Sequence, residues 1–310
     1  MEKIEIISKV DRKSQPSLVQ AAEGSEPRPL LVALHTWSYT CMENYSGYSE
    51  VCRNRNWHMI FPNFRGPNNT PDGCGSDLAL SDIEDAVAYM CENYPVDREK
   101  IYLVGGSGGG HFALLVAGRR PDLFTAVSAW CPISDIARWH RESKVRENCY
   151  SQHIESACGG DPDCDAGALR EAQLRSPLSW LANAANKVPV DISTGIHDGH
   201  TGSVPVGHAI RAFNILAAEG DRISEEDIAS IEASEKVPAH LAAEDSDPAY
   251  GSHTVYLRKI SRLSRLTLFE GGHNIFPAIA GAWLARQRRG GTPDFANGEA
   301  MEEQMLNLSN

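Results

Sequence analysis

One segment constrains the fold of this chain more than any other, the run Ile101-Tyr-Leu-Val-Gly-Gly-Ser-Gly-Gly-Gly-His111. Apolar strand-forming residues lead into a turn around Ser107, and the apolar run after it predicts a helix. Gly105 and Gly109 flank the serine at a distance of two residues. A serine on a sharp strand-to-helix turn brings strand and helix too close for side chains at those positions. The segment therefore predicts an α/β fold with a serine at a helix N-terminus, where negative charge is stabilised.

Three further segments have a similar form, an apolar strand that stops in a polar turn. Residues 29–34 run into a turn that contains Trp37, and residues 188–196 run into a turn that contains Asp198. Residues 264–269 end in a two-glycine turn that carries His273. The continuous apolar run at 29–34 is typical of a strand buried in a parallel sheet, and residues 264–269 alternate apolar with polar residues as strands do. Of the 11 histidines in the chain, only His273 has such a setting after the final predicted strand.

These residues together resemble the α/β-hydrolase superfamily, and within it the prolyl-oligopeptidase-like and carbohydrate-esterase branches. The resemblance extends over about residues 1–290. It rests on Leu-His-Thr-Trp-Ser (34–38), Phe-Pro-Asn-Phe-Arg-Gly-Pro-Asn-Asn (61–69), Gly-Gly-Ser-Gly-Gly-Gly (105–110), Asp198 with Val204-Pro205, and Gly-Gly-His (271–273). The Arg-Gly pair at 65–66, an acidic helix from Ser81 and the serine turn follow one another as they do in prolyl-oligopeptidase catalytic domains.

The resemblance implies a catalytic triad in the order Ser107, Asp198 and His273, which would act as nucleophile, acid and base. A second candidate for the acid stays open, because Asp135 follows the preceding predicted strand and some hydrolases of this fold draw their acid from there. Asp198 is favoured, since a Gly-x-x-Asp turn followed by Val-Pro is more typical of the acid loop. The structural interpretation of Asp135 is that it caps the N-terminus of a helix.

The resemblance also implies an oxyanion hole formed by the backbone amides of Trp37 and Gly108. Two such amides, aimed at a developing oxyanion, contribute several kcal/mol of transition-state stabilisation. The usual His-Gly pair of this loop is replaced here by His35-Thr36. We expect His35 to brace the loop by hydrogen bonds rather than to transfer protons.

The expected architecture is a single α/β-hydrolase domain over residues 1–290, a size that buries most of the chain surface. Its mostly parallel sheet is expected to have eight strands flanked by helices, with two early strands at an antiparallel edge. The polar stretch 133–187 is expected to form a small cap over the active site. Residues 291–310 are expected to form a peripheral tail.

The formal net charge of −12 argues against nucleic acid and anionic membranes as partners. No apolar run of transmembrane length is present.

No cofactor is expected. His197 and His200 flank the predicted acid and suggest a metal pair, but no third ligand accompanies them in the sequence, so no metal is expected. The sequence makes no prediction about the oligomeric state.

The eight cysteines allow two interpretations. Cys149, Cys158 and Cys164, in predicted loops, suggest disulfides and an oxidising compartment. Cys91 and Cys131 fit buried free thiols. The N-terminus reads as a strand and not as a signal peptide, which predicts a cytoplasmic protein as the sequence stands, or a periplasmic or secreted one if a leader has been removed. We favour export slightly, because a polymer-derived substrate would be met outside the cytoplasm.

Aromatic and arginine side chains are the candidates for binding substrate, because aromatic faces suit sugar rings and arginine forks suit carboxylates. The candidate lining residues are Trp37, Tyr39, Arg65, Trp130, Arg138, Trp139 and His140. The hypothesis is that the substrate is an ester on an acidic or neutral sugar, and that Arg65 or Arg138 binds a carboxylate next to that ester. The alternative for Arg65 is that it holds the loop at 61–69 against the acidic helix at 82–85.

The predicted function is a serine hydrolase that cleaves an acetyl or methyl ester of a plant-type polysaccharide or oligosaccharide through an acyl-enzyme. Peptidases of this family carry a large N-terminal domain, for which 310 residues leave no room, so an esterase is favoured. The first alternative is a prolyl-oligopeptidase-like hydrolase of small peptides. A lipase-like esterase would need an apolar cap, whereas this one is polar. A non-catalytic glycan-binding scaffold is the remaining alternative.

Overall fold

A computed structural model of the chain describes residues 1–43, 45–242 and 246–301. Within them lie nine strands and nine α-helices. The strands are β1 (Glu2–Ile7), β2 (Ser14–Gln20), β3 (Arg28–Leu34), β4 (His58–Pro62), β5 (Val96–Gly106), β6 (Ala126–Trp130), β7 (Val190–Gly195), β8 (Val255–Ser261) and β9 (Ser264–Phe269). The helices are α1 (Ser46–Arg55), α2 (Asp77–Asn93), α3 (Gly108–Arg119), α4 (Ile136–Val145), α5 (Tyr150–Cys158), α6 (Ala166–Leu174), α7 (Gly207–Leu216), α8 (Glu225–Ser234) and α9 (Pro277–Leu284).

All nine strands belong to one sheet, in the order β1-β2-β4-β3-β5-β6-β7-β9-β8. The six strands from β4 to β9 in this order run parallel, and β1, β2 and β8 are antiparallel to their neighbours. This is the α/β-hydrolase architecture that the sequence predicts. The prediction of eight strands is wrong by one. The missed strand, β8, lies at an edge and carries charged residues on its half-buried positions, so its apolar pattern is weak.

Alternate residues of the central strands enter two separate cores, one on each face of the sheet. In β3, Leu30 and Val32 pack with residues of α2, α3, α7 and α8, whereas Leu31 and Ala33 pack with residues of α1 and α9. Helices on both faces explain why the central strands read as continuous apolar runs. The parallel arrangement also brings the carboxyl ends of β3, β5, β7 and β9 to one edge of the sheet.

The stretch between β6 and β7 contains α4, α5 and α6. Asp135 and Asp165 accept hydrogen bonds from backbone amides at the N-termini of α4 and α6, which is where helices have unpaired donors. The buried side chains of these helices form a third apolar cluster, and that cluster includes Trp37 of the loop after β3. The insertion is therefore packed against the edge of the sheet where the predicted active-site loops lie.

The first part of the predicted peripheral tail packs on the domain. Phe295 stacks on Trp283 with the ring centroids 5.9 Å apart, and the Gly298 amide donates to Asp247 over 2.9 Å. The rest of the predicted tail, residues 302–310, lies outside the described residues.

All eight cysteines are free thiols, so the expectation of disulfides is wrong. Cys158, expected in an exposed loop, lies buried at the end of α5. Across the described ranges, no helix combines the length and the apolar character needed to cross a membrane.

Candidate active site

Ser107 lies on a strained turn between β5 and α3, with φ +55° and ψ −120°. Such a conformation is costly for a residue with a side chain and is found mainly at functional sites. A β-carbon on Gly105 would collide with the carbonyl oxygen of Gly109. A β-carbon on Gly109 would lie 2.6 Å from the carbonyl oxygen of Leu34. The glycine pattern therefore reflects the close approach of strand and helix, as predicted.

The amides of Trp37 and Gly108 lie side by side at the start of α3. A β-carbon on Gly108 would collide with the Trp37 nitrogen and lie 2.5 Å from its Cα. Among the described residues neither amide donates a hydrogen bond to a protein acceptor. The Thr36 carbonyl, which shares a peptide plane with the Trp37 amide, lies 2.9 Å from Nδ1 of His35, and the Trp37 carbonyl accepts from the Asn68 amide over 2.8 Å, so the peptides on both sides of Trp37 are held. Two free, adjacent amides next to a serine are the geometry that an oxyanion hole requires.

His35 braces this loop and does not face the serine. Its Nδ1 lies 2.9 Å from the Thr36 carbonyl oxygen and its Nε2 lies 2.9 Å from the Asn63 carbonyl oxygen. The ring stacks on Phe64 with centroids 3.9 Å apart, and burial lowers the pKa of the imidazole. Both nitrogens are occupied by backbone carbonyls, so the ring connects the loop after β3 to the loop after β4.

His273 and Asp198 form a hydrogen-bonded pair. The Nδ1 of His273 donates to Oδ2 of Asp198 over 2.7 Å, and the carboxylate is fully buried. The other oxygen, Oδ1, accepts from the amides of Gly199 at 3.0 Å and Val204 at 3.2 Å. Asp135 has a different position, because its carboxylate accepts from the Arg138 amide at the start of α4. Of the two candidate acids, the structure therefore brings Asp198 to the imidazole.

Ser107 and His273 line one cavity of about 310 Å³ at the carboxyl edge of the sheet. Its other walls come from the loop after β3, the start of α1, the first residue of α5, and the loops after β7 and β9. The lining residues are Leu34, His35, Thr36, Trp37, Ser38, Tyr39, Ser46, Gly47, Tyr48, Ser107, Tyr150, Ser203, His273, Ile275 and Pro277. None of the lining residues that the structure describes is Asp, Glu, Lys or Arg. The cavity is thus neutral, with hydroxyl groups and aromatic rings on its walls.

The prediction that arginine binds a substrate carboxylate is wrong for both candidates. Arg65 is 3% exposed and bonds Asp11 over 2.6 Å and Asp82 over 2.7 Å, so it holds its loop against α2. Arg138 lies on the outer surface of α4, 4.0 Å from Glu142. Neither side chain lines the cavity, because each is directed to acidic groups elsewhere.

The two arginines differ in burial, which allows a paired prediction. Arg65→Met is expected to lower the free energy of unfolding by about 3 kcal/mol, because the buried Asp82 carboxylate is left without its partner. Arg138→Met is expected to change it by about 0.5 kcal/mol or less, since exposed ion pairs contribute little. Urea unfolding measures both values. A rise in KM for carboxylate-bearing esters in either variant would contradict this assignment.

Three other predicted lining residues lie behind the cavity. Trp130 is fully buried in β6, where its indole donates to Ser128 and packs among Tyr250, Phe269 and Phe276. Trp139 is 1% exposed and contacts lining residues from the outside. His140 bonds Glu155 over 2.9 Å and lies among acidic groups of the cap. The residue types suggested ligand contact, but burial among other aromatic or acidic side chains excludes it. Trp37 and Tyr39 do line the cavity.

Sequence reasoning missed several wall residues, above all Tyr48, Tyr150 and Ser203. Tyr48 belongs to the first turn of α1 and Tyr150 begins α5. Neither position carries a local motif, and each reaches the cavity only through the way its helix packs. Ser203 lies in the loop of the predicted acid, five residues after Asp198, and this proximity is the one signal in the sequence that could have identified it.

Two side-chain clusters in the described part of the chain have donor atoms close enough to hold a metal ion. One consists of Cys131, Asp198 and His273, whose imidazole and carboxylate already bond each other. The other consists of His140, Glu155 and Asp161, and there Lys144 already pairs with Asp161 over 2.7 Å. In both clusters the donor atoms already form hydrogen bonds or ion pairs with protein groups, so neither cluster favours a metal ion. His197 and His200, the pair considered from the sequence, bond acidic groups and a backbone carbonyl instead.

His197, next to Asp198, joins three elements. Its Nδ1 lies 2.6 Å from Glu235 at the end of α8, and its Nε2 lies 3.1 Å from Glu270 in the loop of His273. Tyr256 of β8 donates to the other oxygen of Glu270 over 2.7 Å. The hydrogen bond to Glu235 is the largest cause that raises the pKa of His197 above its ordinary 6.5, and Glu270 adds to it.

The raised pKa predicts a pH-dependent stability. A group whose pKa is higher in the folded than in the unfolded state contributes its full stabilisation of the folded state at pH values below its unfolded-state pKa. That contribution is lost as the pH rises through its folded-state pKa. His197→Asn is therefore expected to lower Tm most near pH 6, and the difference from the wild type should shrink towards pH 9. His240→Asn is the control, since that exposed ring lies 3.3 Å from a single carboxylate. A difference that is constant with pH would refute the prediction.

Comparison with known proteins agrees with the fold. The sequence model of the prolyl oligopeptidase family matches residues 76–229. The acylamino-acid-releasing enzyme 2 of Oryza sativa subsp. japonica is 23% identical over 221 residues, which cover 66% of this chain and 27% of that protein. The chain thus spans about a quarter of the length of this relative. The acetylxylan esterase of Coprinopsis cinerea is 26% identical over 112 residues, 33% of this chain and 30% of that protein.

Among solved structures, the uncomplexed acylaminoacyl peptidase of Pyrococcus horikoshii superposes with a TM-score of 0.64 at 15% identity. The superposition covers 98% of this chain and 43% of that one. At this identity the likeness concerns the fold, and it includes the sheet and the helices on both of its faces.

Proposed function

We propose that this chain, a serine hydrolase that belongs to the prolyl oligopeptidase family of the α/β-hydrolase superfamily, cleaves carboxylic esters carried by neutral carbohydrates. The single observation that supports this most is the cavity around Ser107, which combines hydroxyl groups and aromatic rings with an absence of charged groups among its described walls. An acidic sugar has no charged partner here, because no arginine is among the described residues that line this cavity.

The proposed mechanism uses the side chains already placed. Ser107 Oγ attacks the ester carbonyl carbon while Nε2 of His273 accepts its proton. The hydrogen bond from Nδ1 to Asp198 holds the imidazole in the tautomer that leaves Nε2 free to accept. The amides of Trp37 and Gly108 stabilise the tetrahedral oxyanion. The alcohol leaves with the proton from His273, and water then hydrolyses the acyl-enzyme through the same groups.

The chemistry of the walls supports a sugar ester. Tyr39, Tyr48 and Tyr150 combine an aromatic face with a hydroxyl group, and Ser38 and Ser203 add further hydroxyls. Sugar rings pack on aromatic faces and exchange hydrogen bonds with such groups. A cavity of about 310 Å³ lies at the small end of the range for ligand sites. It therefore suits an acetyl or methyl ester better than a long acyl chain, which also argues against a lipase.

The second candidate is a hydrolase that releases N-acylated amino acids. The similarity to the acylamino-acid-releasing enzyme 2 of rice and to the acylaminoacyl peptidase of Pyrococcus horikoshii favours it. An N-acylated residue has no free ammonium group, so the neutral cavity is compatible with this substrate as well. A peptidase that binds a free amino terminus would need an acidic partner, and no wall residue described here supplies one.

A substrate panel separates these candidates. The purified protein is assayed on p-nitrophenyl acetate, acetylated xylan, methyl-esterified pectin, an N-acetyl-aminoacyl anilide and a prolyl anilide, with Ser107→Ala as the blank. Release of acetate from xylan, at a rate well above that of the anilides and of methanol release from pectin, supports the proposal. Faster release of methanol from pectin, a polymer of uronic acid, would favour an acidic sugar instead. Faster cleavage of the N-acetyl-aminoacyl anilide favours the second candidate. Turnover of none of them, with intact folding, would leave a glycan-binding scaffold as the remaining interpretation.

A further inference from the structure

Trp139 lies on α4 in the cap, one helical turn after the capping residue Asp135, and its side chain is only 1% exposed. It does not line the cavity. It is enclosed by the apolar cluster of the cap, in which Ile136 and Ile154 are fully buried. An indole in such a setting has little freedom to change its position, because protein interiors are close-packed.

The indole of Trp139 contacts three separate parts of the cavity wall. It meets the ring of Trp37 edge-on, with centroids 4.7 Å apart and planes at 74°. It stacks on the ring of Tyr150, with centroids 4.8 Å apart and planes at 28°. Its Nε1 donates to the carbonyl oxygen of Ser203 over 2.8 Å. Trp37, Tyr150 and Ser203 all line the cavity.

These three wall residues come from different segments of the chain. Trp37 carries one amide of the oxyanion hole, Tyr150 begins α5, and Ser203 belongs to the loop that holds Asp198. Aromatic pairs at these distances have preferred geometries, and a buried indole N–H needs its acceptor. One buried side chain therefore sets the spacing between the oxyanion loop, the cap and the acid loop.

We propose that Trp139 is a specificity-determining residue, which limits the width of the cavity from behind and so restricts the enzyme to small groups at the reacting carbon. The inference rests on the proposed function only in taking Ser107 as the nucleophile.

The test labels Ser107 with alkyl phosphonofluoridates of increasing alkyl length, from ethyl to octyl. Ser107 Oγ forms a bond to phosphorus, the P–F bond breaks, fluoride leaves and the serine proton passes to His273. Labelling rates are followed by intact-protein mass spectrometry. In the wild type we expect the octyl probe to react at least tenfold more slowly than the ethyl probe, since a chain too long for the cavity must displace packed wall residues.

Trp139→Ala is expected to raise the ratio of octyl to ethyl labelling rates by about tenfold, because Trp37 and Tyr150 lose the ring that supports them. Trp139→Phe keeps a ring but loses the hydrogen bond to Ser203, and a rise of about two- to threefold is expected. This milder variant keeps the test valid if the alanine variant does not fold.

Trp283→Ala is the matched control. Trp283 is also 1% exposed, but it packs against Phe295 in the apolar cluster of α1 and α9, which is separate from the cluster that holds Trp139. Its removal should lower Tm while the labelling ratio stays within twofold of the wild type. A ratio in folded Trp139→Ala that equals or falls below the wild-type ratio would overturn the inference. A wild type that no probe labels would overturn the proposed function, and this inference with it.

Discussion

Ser107→Ala is expected to lower kcat for the best ester substrate by about 10⁴-fold or more, because the nucleophile is lost while the amides of Trp37 and Gly108 keep their geometry. KM is expected to change little, since the cavity walls stay in place. Steady-state kinetics on p-nitrophenyl acetate measure both values. The variant should also fail to gain mass with a phosphonofluoridate.

The control for this variant is Ser143→Ala in α4. Ser143 is 1% exposed, and its hydroxyl has no hydrogen-bond partner among the residues that the structure describes. Ser143→Ala should leave kcat unchanged, and it removes no hydrogen bond between described residues. A Ser107→Ala protein that is folded and keeps more than about one per cent of the wild-type rate would exclude Ser107 as the nucleophile.

Asp198→Asn is expected to lower kcat by about 10³- to 10⁴-fold. Oδ1 of Asp198 accepts two backbone amides, so the amide oxygen of an asparagine must take that place. The NH₂ group then faces Nδ1 of His273 and forces the imidazole into the tautomer with its proton on Nε2. That nitrogen is no longer free to accept a proton from Ser107. The fall in kcat follows from a wrong tautomer and not from a lost contact.

Asp135→Asn offers a matched control, because the sequence leaves both aspartates as candidates for the acid. The carboxylate of Asp135 accepts from the Arg138 amide at the N-terminus of α4. Asparagine caps helices about as well as aspartate, so both kcat and Tm should stay close to their wild-type values. If Asp135→Asn loses activity and Asp198→Asn does not, the assignment of the acid is wrong.

The reactive turn could be predicted because its constraints are local. Gly105 is required by the approach of β5 to the helix that directly follows it, so strand, turn and helix are all visible within about twenty residues. Gly109 instead faces the backbone of Leu34 and His35 at the end of β3. The two-glycine turn before His273 is recognisable for a similar reason. Fold class followed from the patterns of the strands: β3 and the second half of β5 are continuous apolar runs buried on both faces of the sheet, whereas β9 alternates apolar with polar residues.

The choice between the two acids could be argued from the sequence but required tertiary structure to be decided. Both aspartates follow central strands, and the local pattern only favours one of them. In the folded sheet β7 lies directly beside β9, so the loop with Asp198 lies against the loop with His273. Asp135 follows β6, one strand further away, and its carboxylate is used by α4. Strand order is a property of the whole sheet and has no local signal.

Sequence-based prediction was more limited still for the candidate substrate-binding residues. Arg65, Trp130 and Trp139 have side chains that suit a ligand, and the sequence by itself determined no more than their chemical type. Whether an arginine meets a substrate or Asp82, and whether an indole faces a cavity or supports its wall from behind, depends on contacts between segments that are distant in the chain. The sequence alone thus determined the fold class, the serine turn and the histidine loop, because each depends on short-range sterics and periodicity. Only the tertiary structure decided the acid, the neutral cavity and the place of Trp139, because these depend on which distant segments pack together.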